Sequence, residues 1–274
     1  LFSTREPRLS MVFLNLDNPA KDFLQDAEFR QALMLAINRQ MILDKVMLGQ
    51  GVLAHGPILP GSWAYYADQG SYPFDPDLAA QKIAALGITR AETGELATPE
   101  GVEIRLVLLT PDDELHTQIA DYIKQGWESV GVAVDVLSLP YNEVVAKLDA
   151  RDYDAALVEI DLSGTPDPDP YPFWAQSQAQ SGQNYSQWSN RSASEYLEQA
   201  RVMNDYTLRA KLYRNFQILF HDQLPSLPLF YPVYNYAIRN TILDVTIGPI
   251  YEASDRLNNI NTWFMLASSA AEGR

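Results

Sequence analysis

The sequence predicts an α/β fold in which helices cover a largely parallel sheet. Three observations predict it. Between residues 104 and 160 the apolar residues alternate between strand spacing and helix spacing, in the order β-α-β-α-β. Such an order favours parallel strands, because each crossover helix returns the chain to the same end of the sheet. The chain also has 274 residues, of which 47% are hydrophobic, and this is enough to bury a sizeable core.

The segment before this alternation predicts one strand and three helices. The strand is expected over residues 11–16. Asp26 has the position of an N-cap for the first helix, and a second helix is expected from about Arg39. Asp75 followed by Pro76 is typical of a third helix start, because proline fits the first helical position.

The alternation itself predicts three strands, near 104–109, 132–138 and 154–160. Helices are expected over 112–130 and 142–148, and the first of these is amphipathic and followed by a glycine. We therefore predict that these five segments form one parallel β-α-β-α-β unit.

The C-terminal part predicts two helices followed by extended chain. Ser192 and Glu195 have the spacing of a capping box for the first helix. A longer helix is expected over 207–223, and an extended aromatic-rich segment over 229–238. Residues 235–274 show few helix signals and no core of their own, so we expect them to complete another domain.

Charge and composition exclude several function classes. The 20 Lys and Arg residues are outnumbered by 35 Asp and Glu, and the net charge of −15 disfavours nucleic acid and anionic membranes as partners. The absence of cysteine removes disulfides, zinc–thiolate sites and thiol catalysis, and we expect no cofactor and no metal. No apolar run reaches the length of a membrane-spanning helix. The sequence begins at Leu1 without a leader, so we expect either a cleaved leader or a piece of a longer chain.

Common catalytic motifs are absent. The sequence contains no nucleophile elbow, no phosphate-binding P-loop and no zinc-protease motif. Only three histidines occur, and none has a recognisable triad partner nearby. These absences lower the expectation of a hydrolytic enzyme without disproving it, because triad partners can lie far apart in sequence.

The run from Asp167 to Pro170, in which aspartate and proline alternate, is the sharpest local feature. A calcium loop would need glycine at its sixth position and glutamate at its twelfth, where this sequence has Pro172 and Gln178. Two interpretations remain open for Asp167 and Asp169. They are either solvated carboxylates on a proline-stiffened turn or part of a ligand-binding loop.

Large aromatic and polar residues around this run favour a ligand loop. They follow the C-terminal end of a predicted strand, where α/β sheets place ligand crevices. We expect the segment 161–188 to line the open face of the domain together with 56–66 and Tyr141. The candidates within the two segments are Trp63, Tyr171, Trp174, Asn184 and Tyr185. Each aromatic taken singly is more often a core residue than a site residue.

An ordered set of short motifs resembles the extracellular solute-binding proteins of the peptide/nickel/oligopeptide class, family 5, which feed ABC importers. The match covers about residues 10–240. The motifs are Phe29-Arg30-Gln31-Ala32-Leu33 with Ala36-Ile37-Asn38-Arg39, Gly56-Pro57-Ile58-Leu59-Pro60-Gly61, Tyr72-Pro73-Phe74-Asp75-Pro76, Gly131-Val132, Asp152-Tyr153-Asp154, Pro166-Asp167-Pro168, Leu212-Tyr213, Gln217-Ile218-Leu219 and Leu224-Pro225.

The resemblance implies a periplasmic-binding-protein-like fold, of which this chain would supply the C-terminal lobe. Residues 1–12 would be an incoming hinge segment, 13–230 the ligand-binding lobe, and 231–274 a return segment of the other lobe. The hinge is expected near 9–13 and 229–232.

The implied function is binding without catalysis. The protein would capture a peptide or similar small solute between two lobes and deliver it to the membrane permease of an ABC importer. It would lie outside the cytoplasm, in the periplasm or at the cell surface, with a lipid anchor on a segment outside this sequence. One lobe alone is expected to bind ligand weakly or not at all.

Site residues follow from the resemblance position by position. The aspartate that holds a peptide's amino group in the family falls near Gly164, with Asp161 three residues away, and Asp167 is a nearby substitute. Tyr141 falls where family members have an aromatic residue lining the cleft. His116 falls near a histidine that faces the carboxyl end of the ligand.

Two alternatives come from other classes of protein. A carbohydrate-active enzyme using aspartate and tryptophan would need two opposed carboxylates across a cleft. A stand-alone interaction domain would use the aromatic tail, residues 229–264, as its partner surface. If the tail has no other lobe to pack against, we expect it to be disordered or to drive self-association.

Overall fold

A mixed sheet lies between two layers of helices. The computed structural model describes residues 1–91, 95–163 and 167–266. Its strands are β1 (Phe2–Arg5), β2 (Arg8–Leu14), β3 (Gly51–Leu53), β4 (Thr89–Arg90), β5 (Leu96–Ala97), β6 (Arg105–Pro111), β7 (Ala133–Leu139), β8 (Ala155–Asp161), β9 (Ser226–Tyr236), β10 (Ile242–Leu243) and β11 (Phe264–Met265). Its α-helices are α1 (Ala27–Leu35), α2 (Arg39–Lys45), α3 (Pro76–Ala85), α4 (Glu114–Ser129), α5 (Tyr141–Ala150), α6 (Tyr171–Trp174), α7 (Arg191–Val202) and α8 (Tyr206–Gln223).

The predicted parallel unit is confirmed. Strand β6 pairs in parallel with β7 on one side and with β8 on the other. Helix α4 connects β6 to β7, and α5 connects β7 to β8. Because β8 returns to the opposite side of β6, the direction of winding changes between β6 and β8. A crevice opens at such a switch point, beyond the carboxyl ends of the strands.

The other half of the sheet is antiparallel. Strand β2 pairs with β8 on one edge and with β9 on the other, and β1 and β3 both pair with β9. The full order is β1-β9-β2-β8-β6-β7. The sequence periodicity predicts β2 and β9 as extended segments but does not indicate that they enter the same sheet as the parallel unit.

Each face of the sheet has its own hydrophobic core. Along β2, Val12 and Leu14 face the first core, and Met11 and Phe13 face the second, as the two-residue period of a strand requires. Helices α1, α3 and α4 cover the first face, where Trp127 is fully buried. Helices α5, α7 and α8 cover the second. None of the helices in the described part of the chain combines the length and apolar character needed to cross a lipid bilayer.

Two of the predicted helix starts are confirmed and one is wrong. The Asp26 and Asp75 carboxylates each accept a hydrogen bond from an amide in the first turn of their helices, α1 and α3. The capping box predicted at Ser192 and Glu195 does not form. Asn190 caps α7 instead, and its side-chain oxygen accepts from the Ala193 amide at 2.8 Å. Asn190 and Ser192 are both typical N-cap residues, and the helix begins after the earlier of the two.

Arg39 is a buried cation whose partners are backbone carbonyl groups. Its guanidinium donates to the carbonyl oxygens of Ala54, Tyr72 (2.8 Å) and Pro228 (3.0 Å). Burial lowers its pKa to about 10. The residue therefore ties α2 to the segment before the third helix and to β9.

Arg30 does the same for the end of α8. Its guanidinium donates to the carbonyls of Leu24, Gln223 and Leu224, and Leu224 is in the left-handed conformation that ends the helix. Burial lowers its pKa to about 10. Arg30 and Arg39, which both belong to the first motif of the resemblance, therefore have structural roles.

The start of the chain runs beside β9. The Glu6 amide donates to the Pro232 carbonyl at 2.8 Å, between the β1–β9 and β2–β9 ladders. Residues 226–232 of β9 are buried, and 233–236 are not. The hinge is predicted near 9–13 and 229–232, but these residues pair within the buried part of the sheet. The change from buried to more exposed residues comes after residue 232. The position of the hinge stays a prediction.

The tail beyond β9 packs partly onto the rest of the chain. Val245 and Ile250 are buried, and Tyr251 contacts the second core. Met265 and Leu266 are exposed by 67% and 75%. Residues 267–274 lie outside the described residues.

We expect the substitution Arg39→Met to lower the free energy of unfolding by about 3 kcal/mol, because it leaves buried carbonyls without a donor. Urea denaturation followed by circular dichroism measures the loss. Arg191→Met, which removes an exposed arginine paired with Glu195, is the matched control and should leave the midpoint unchanged. Equal effects of the two substitutions would contradict the structural role of Arg39.

We expect the 274-residue chain to self-associate through its exposed tail, because a contiguous apolar surface is costly in water. Light scattering over a range of protein concentrations measures the mass. The double substitution Met265→Ser/Leu266→Ser should shift the chain toward monomer, and Val202→Ser, at an exposed site on α7, should not. A monomer at every concentration would refute this expectation.

Candidate functional site

A crevice with a volume of about 150 Å³ lies at the carboxyl end of β8. Two chain segments form its walls, and Tyr251 of the tail also lines it. The lining residues are Pro57, Ile58, Leu59, Ser62, Ile160, Asp161, Leu162, Ser163, Asp167, Pro168, Asp169, Pro170, Phe173, Trp174 and Tyr251. The crevice therefore brings together parts of the two segments, 56–66 and 161–188, that the sequence singles out. It also lies next to the switch point of the sheet, as expected for a ligand site in an α/β fold.

Asp161 supplies a carboxylate at the rim. It is the last residue of β8 and is exposed, and one of its oxygens accepts a hydrogen bond from the Ser163 amide at 2.8 Å. Within the described ranges, no lysine or arginine lies within ion-pair distance of it. The nearby Arg8 pairs instead with Glu6 and Glu159. This carboxylate is therefore available to a positively charged ligand group.

Asp167 and Asp169 are each paired with an arginine. The Arg209 Nη2 lies 2.9 and 3.1 Å from the two carboxylate oxygens of Asp167. The Arg201 Nη2 lies 2.9 Å from an oxygen of Asp169. These carboxylates are bound by side chains of α8 and α7, which the sequence does not indicate, and both residues also line the crevice, so their role in ligand binding stays a prediction. Their pairing gives the Asp-Pro turn a fixed position on the two helices.

Trp63 packs on the same arginine. The Arg209 guanidinium carbon lies 4.9 Å from the centroid of the Trp63 ring, and the ring meets Tyr206 edge-on at 5.0 Å. Trp63 is half-buried and adjoins the crevice wall at Ser62. Its indole is thus occupied by contacts within the chain on at least one face.

Trp174 and Asn184 have packing roles. Trp174 is 1% exposed and contacts the rings of Phe13 and Phe220, so it backs the crevice from the core. The fully buried Asn184 amide donates to two backbone carbonyls and accepts from the Trp188 amide. Burial favours the core interpretation for both residues over the predicted ligand contact.

Neither Tyr171 nor Tyr185 lines the crevice, and Tyr185 lies near the amino end of β8, where its carbonyl accepts from the Tyr153 hydroxyl. The Tyr171 ring lies under Arg201, whose guanidinium carbon is 4.3 Å from the ring centroid. The Tyr185 hydroxyl donates to Asp149 at 3.1 Å. Burial, together with this carboxylate, raises the pKa of Tyr185.

Tyr141 and His116 also lie outside the crevice walls. Tyr141 is the first residue of α5 and is 65% exposed, so its ring faces solvent. The His116 Nδ1 lies 2.7 Å from Asp113, the N-cap of α4, which is the arrangement of a capping histidine. Gly164, where the family's aspartate would fall, lies outside the described residues, as does Pro166.

Three residues that contact or line the site are missed by reasoning from sequence: Arg201, Arg209 and Tyr251. A signal for Arg209 exists, because it precedes Tyr213 by four residues and Gln217 by eight, on one face of α8. No local signal links Arg201 or Tyr251 to the crevice.

The chain is similar in sequence to known bacterial binding proteins. Residues 2–185 match the family model for bacterial extracellular solute-binding proteins, family 5 Middle. The dipeptide-binding protein of Escherichia coli (strain K12) is 27% identical over 246 residues, which cover 89% of this chain and 44% of that protein. The oligopeptide-binding protein AppA of Bacillus subtilis (strain 168) is 25% identical over 263 residues, covering 94% and 47%. The chain thus spans less than half the length of these relatives.

The solved structure of one of these relatives has the same fold. The structure of AppA from Bacillus subtilis in complex with a nonapeptide superposes with a TM-score of 0.81 at 23% identity, covering 97% of this chain and 52% of that one. At this identity the likeness concerns the fold alone. Because the family model covers most of the sequence, the chain belongs to the family 5 bacterial extracellular solute-binding proteins.

Proposed function

We propose that this chain forms the ligand-binding lobe of the solute-binding component of an ABC importer. The observation that carries the proposal is the crevice at the carboxyl end of β8, beside the sheet's switch point, with the Asp161 carboxylate at its rim. The family supports it, since its members bind solutes outside the cell. In this proposal residues 1–12 are a hinge segment, 13–230 form the lobe itself, and 231–274 are a return segment of a second lobe.

Capture proceeds by closure of two lobes on a small solute. A ligand that contacts both lobes stabilises the closed form, and one that contacts a single lobe shifts no equilibrium. The paired strands β1 and β9 lie where the chain leaves the buried sheet, so bending there moves the lobes relative to one another. The closed form then docks on the permease of the importer and releases the solute.

The ligand is a peptide or a similar small solute. Both relatives named above are peptide-binding proteins. In this chain, Asp161 offers a carboxylate to an ammonium group, and Ile58, Leu59 and Phe173 offer apolar contact to a side chain. The combination of one charged anchor and an apolar wall suits the free amino end of a peptide.

The protein acts outside the cytoplasm and without catalysis in this proposal, held to the membrane by a lipid anchor. The two aspartates of the Asp-Pro turn are bound by Arg209 and Arg201 and lie on one wall. They do not form the opposed pair of carboxylates that a carbohydrate-active enzyme would use.

We expect Asp161→Asn to weaken binding of the dipeptide alanyl-phenylalanine by about tenfold, because the variant loses a charge-assisted hydrogen bond to the ligand's ammonium group. Isothermal titration calorimetry on the full-length gene product measures the affinity. The N-acetylated dipeptide lacks that charge and should bind both proteins equally weakly.

Asp121→Asn is the matched control, because it removes the same charge from an exposed position on α4. It should leave affinity unchanged. Equal binding of the dipeptide to the Asp161→Asn variant and the unaltered protein would contradict the role of Asp161. Failure of the unaltered protein to bind any of a panel of dipeptides and tripeptides would contradict the peptide assignment.

A further inference from the structure

Helix α8 presents one row of polar side chains to the crevice region. The row consists of Arg209, Tyr213, Gln217 and His221, each four residues after the last. Side chains at this spacing lie on the same face of an α-helix. Tyr213 and Gln217 are almost fully buried, which is unusual for polar groups unless their partners are fixed.

The first half of the row holds the wall formed by 167–170. Arg209 donates to both carboxylate oxygens of Asp167, and the Tyr213 hydroxyl donates to the Pro168 carbonyl at 2.8 Å. The Arg209 Nη2 also lies 3.4 Å from that hydroxyl. This wall is therefore attached to α8 by both a side-chain and a backbone contact.

The same row holds the segment 57–66, which forms the other wall through Pro57, Ile58, Leu59 and Ser62. The Gln217 amide nitrogen donates to the Ala64 carbonyl at 2.9 Å, and its oxygen accepts from the Tyr66 amide at 3.1 Å. The Arg209 guanidinium stacks on Trp63. His221 continues the row, with its ring stacked on Tyr72 at 4.6 Å.

Tyr213 and Arg209 both have side-chain contacts to the two walls, since the Tyr213 ring lies 5.7 Å from the Trp63 ring and its hydroxyl donates to Pro168. Of the two, Arg209 alone is charged and contacts a carboxylate. Its side chain is 11% exposed and lies between the Asp167 carboxylate and the Trp63 ring. A planar guanidinium can bind a carboxylate through its edge while its face packs on an aromatic ring, and an ammonium group cannot do both. Movement of either wall therefore shifts the Arg209 guanidinium, and this alters the contact that Arg209 makes to the other wall.

We propose that Arg209 is a positioning residue that couples the two walls of the crevice, although it does not line the crevice itself. Its role for ligand affinity rests on the proposed function, whereas the coupling does not. Loss of the Asp167–Arg209 pair on one wall frees the guanidinium and loosens the Trp63 side of the other.

Hydrogen exchange of the unliganded full-length gene product tests the coupling. We expect Asp167→Asn to speed exchange of the Tyr65 and Tyr66 amides by about tenfold, although the substitution lies on the opposite wall. Arg209→Lys should act alike, because it keeps the charge but not the planar stack. Asp167→Glu keeps the carboxylate, so its Tyr65 and Tyr66 amides should exchange at rates close to those of the unaltered protein.

Asp169→Asn is the matched control. It changes the same turn by the same charge, but its partner Arg201 stacks on Tyr171 and not on Trp63. It should leave exchange at Tyr65 and Tyr66 unchanged. Exchange in β2 reports global unfolding, so an effect confined to 57–66 is distinguished from a general loss of stability.

The outcomes separate this inference from the proposed function. If Asp167→Asn leaves exchange in 57–66 unaltered, or if Asp169→Asn speeds it equally, coupling through Arg209 is refuted whether or not dipeptide binds. If the coupling is observed and the unaltered protein binds no peptide, the inference stands and the proposed function falls. If both hold, Arg209→Lys should also lower dipeptide affinity while Asp169→Asn changes it less.

Discussion

The antiparallel pairing of β2 with β8 and β9 is the constraint on which the rest of the structure depends. It inserts a seven-residue strand between the parallel unit and the strand that leads to the tail. A shift of this register by one residue would exchange the side chains that face the two cores. The same register sets Arg8 opposite Asp161, so it determines where β8 ends and where the crevice begins.

The parallel unit could be predicted from sequence, and the antiparallel half could not. Periodicity is a local property, and the crossover rule converts a local order of elements into a sheet. Pairing of Ser10 with Phe230 joins residues that lie far apart in the sequence, and neither segment contains a pattern that identifies its partner strand. The resemblance supplies that information only by analogy with a known fold.

The site was predictable at the level of segments but not of contacts. The sequence indicates that 56–66 and 161–188 lie together, and the crevice draws residues from both. It does not indicate that arginines of α7 and α8 bind Asp167 and Asp169, because those helices begin well after the turn in sequence. Nor does it separate Trp174, which packs into the core, from the exposed Asp161, since both follow the same strand.

Four residues of the motifs that carry the resemblance bind backbone carbonyl groups. Arg30 and Arg39 hold carbonyls, as does Gln217, and Tyr213 donates to the carbonyl of Pro168. A backbone carbonyl is present whatever side chain its residue bears, so a scaffold held this way tolerates changes in the side chains along the crevice walls. This explains why such motifs indicate fold and class of function more firmly than ligand identity. In the proposed function, ligand choice is then set by wall side chains such as Asp161, which belong to none of these backbone contacts.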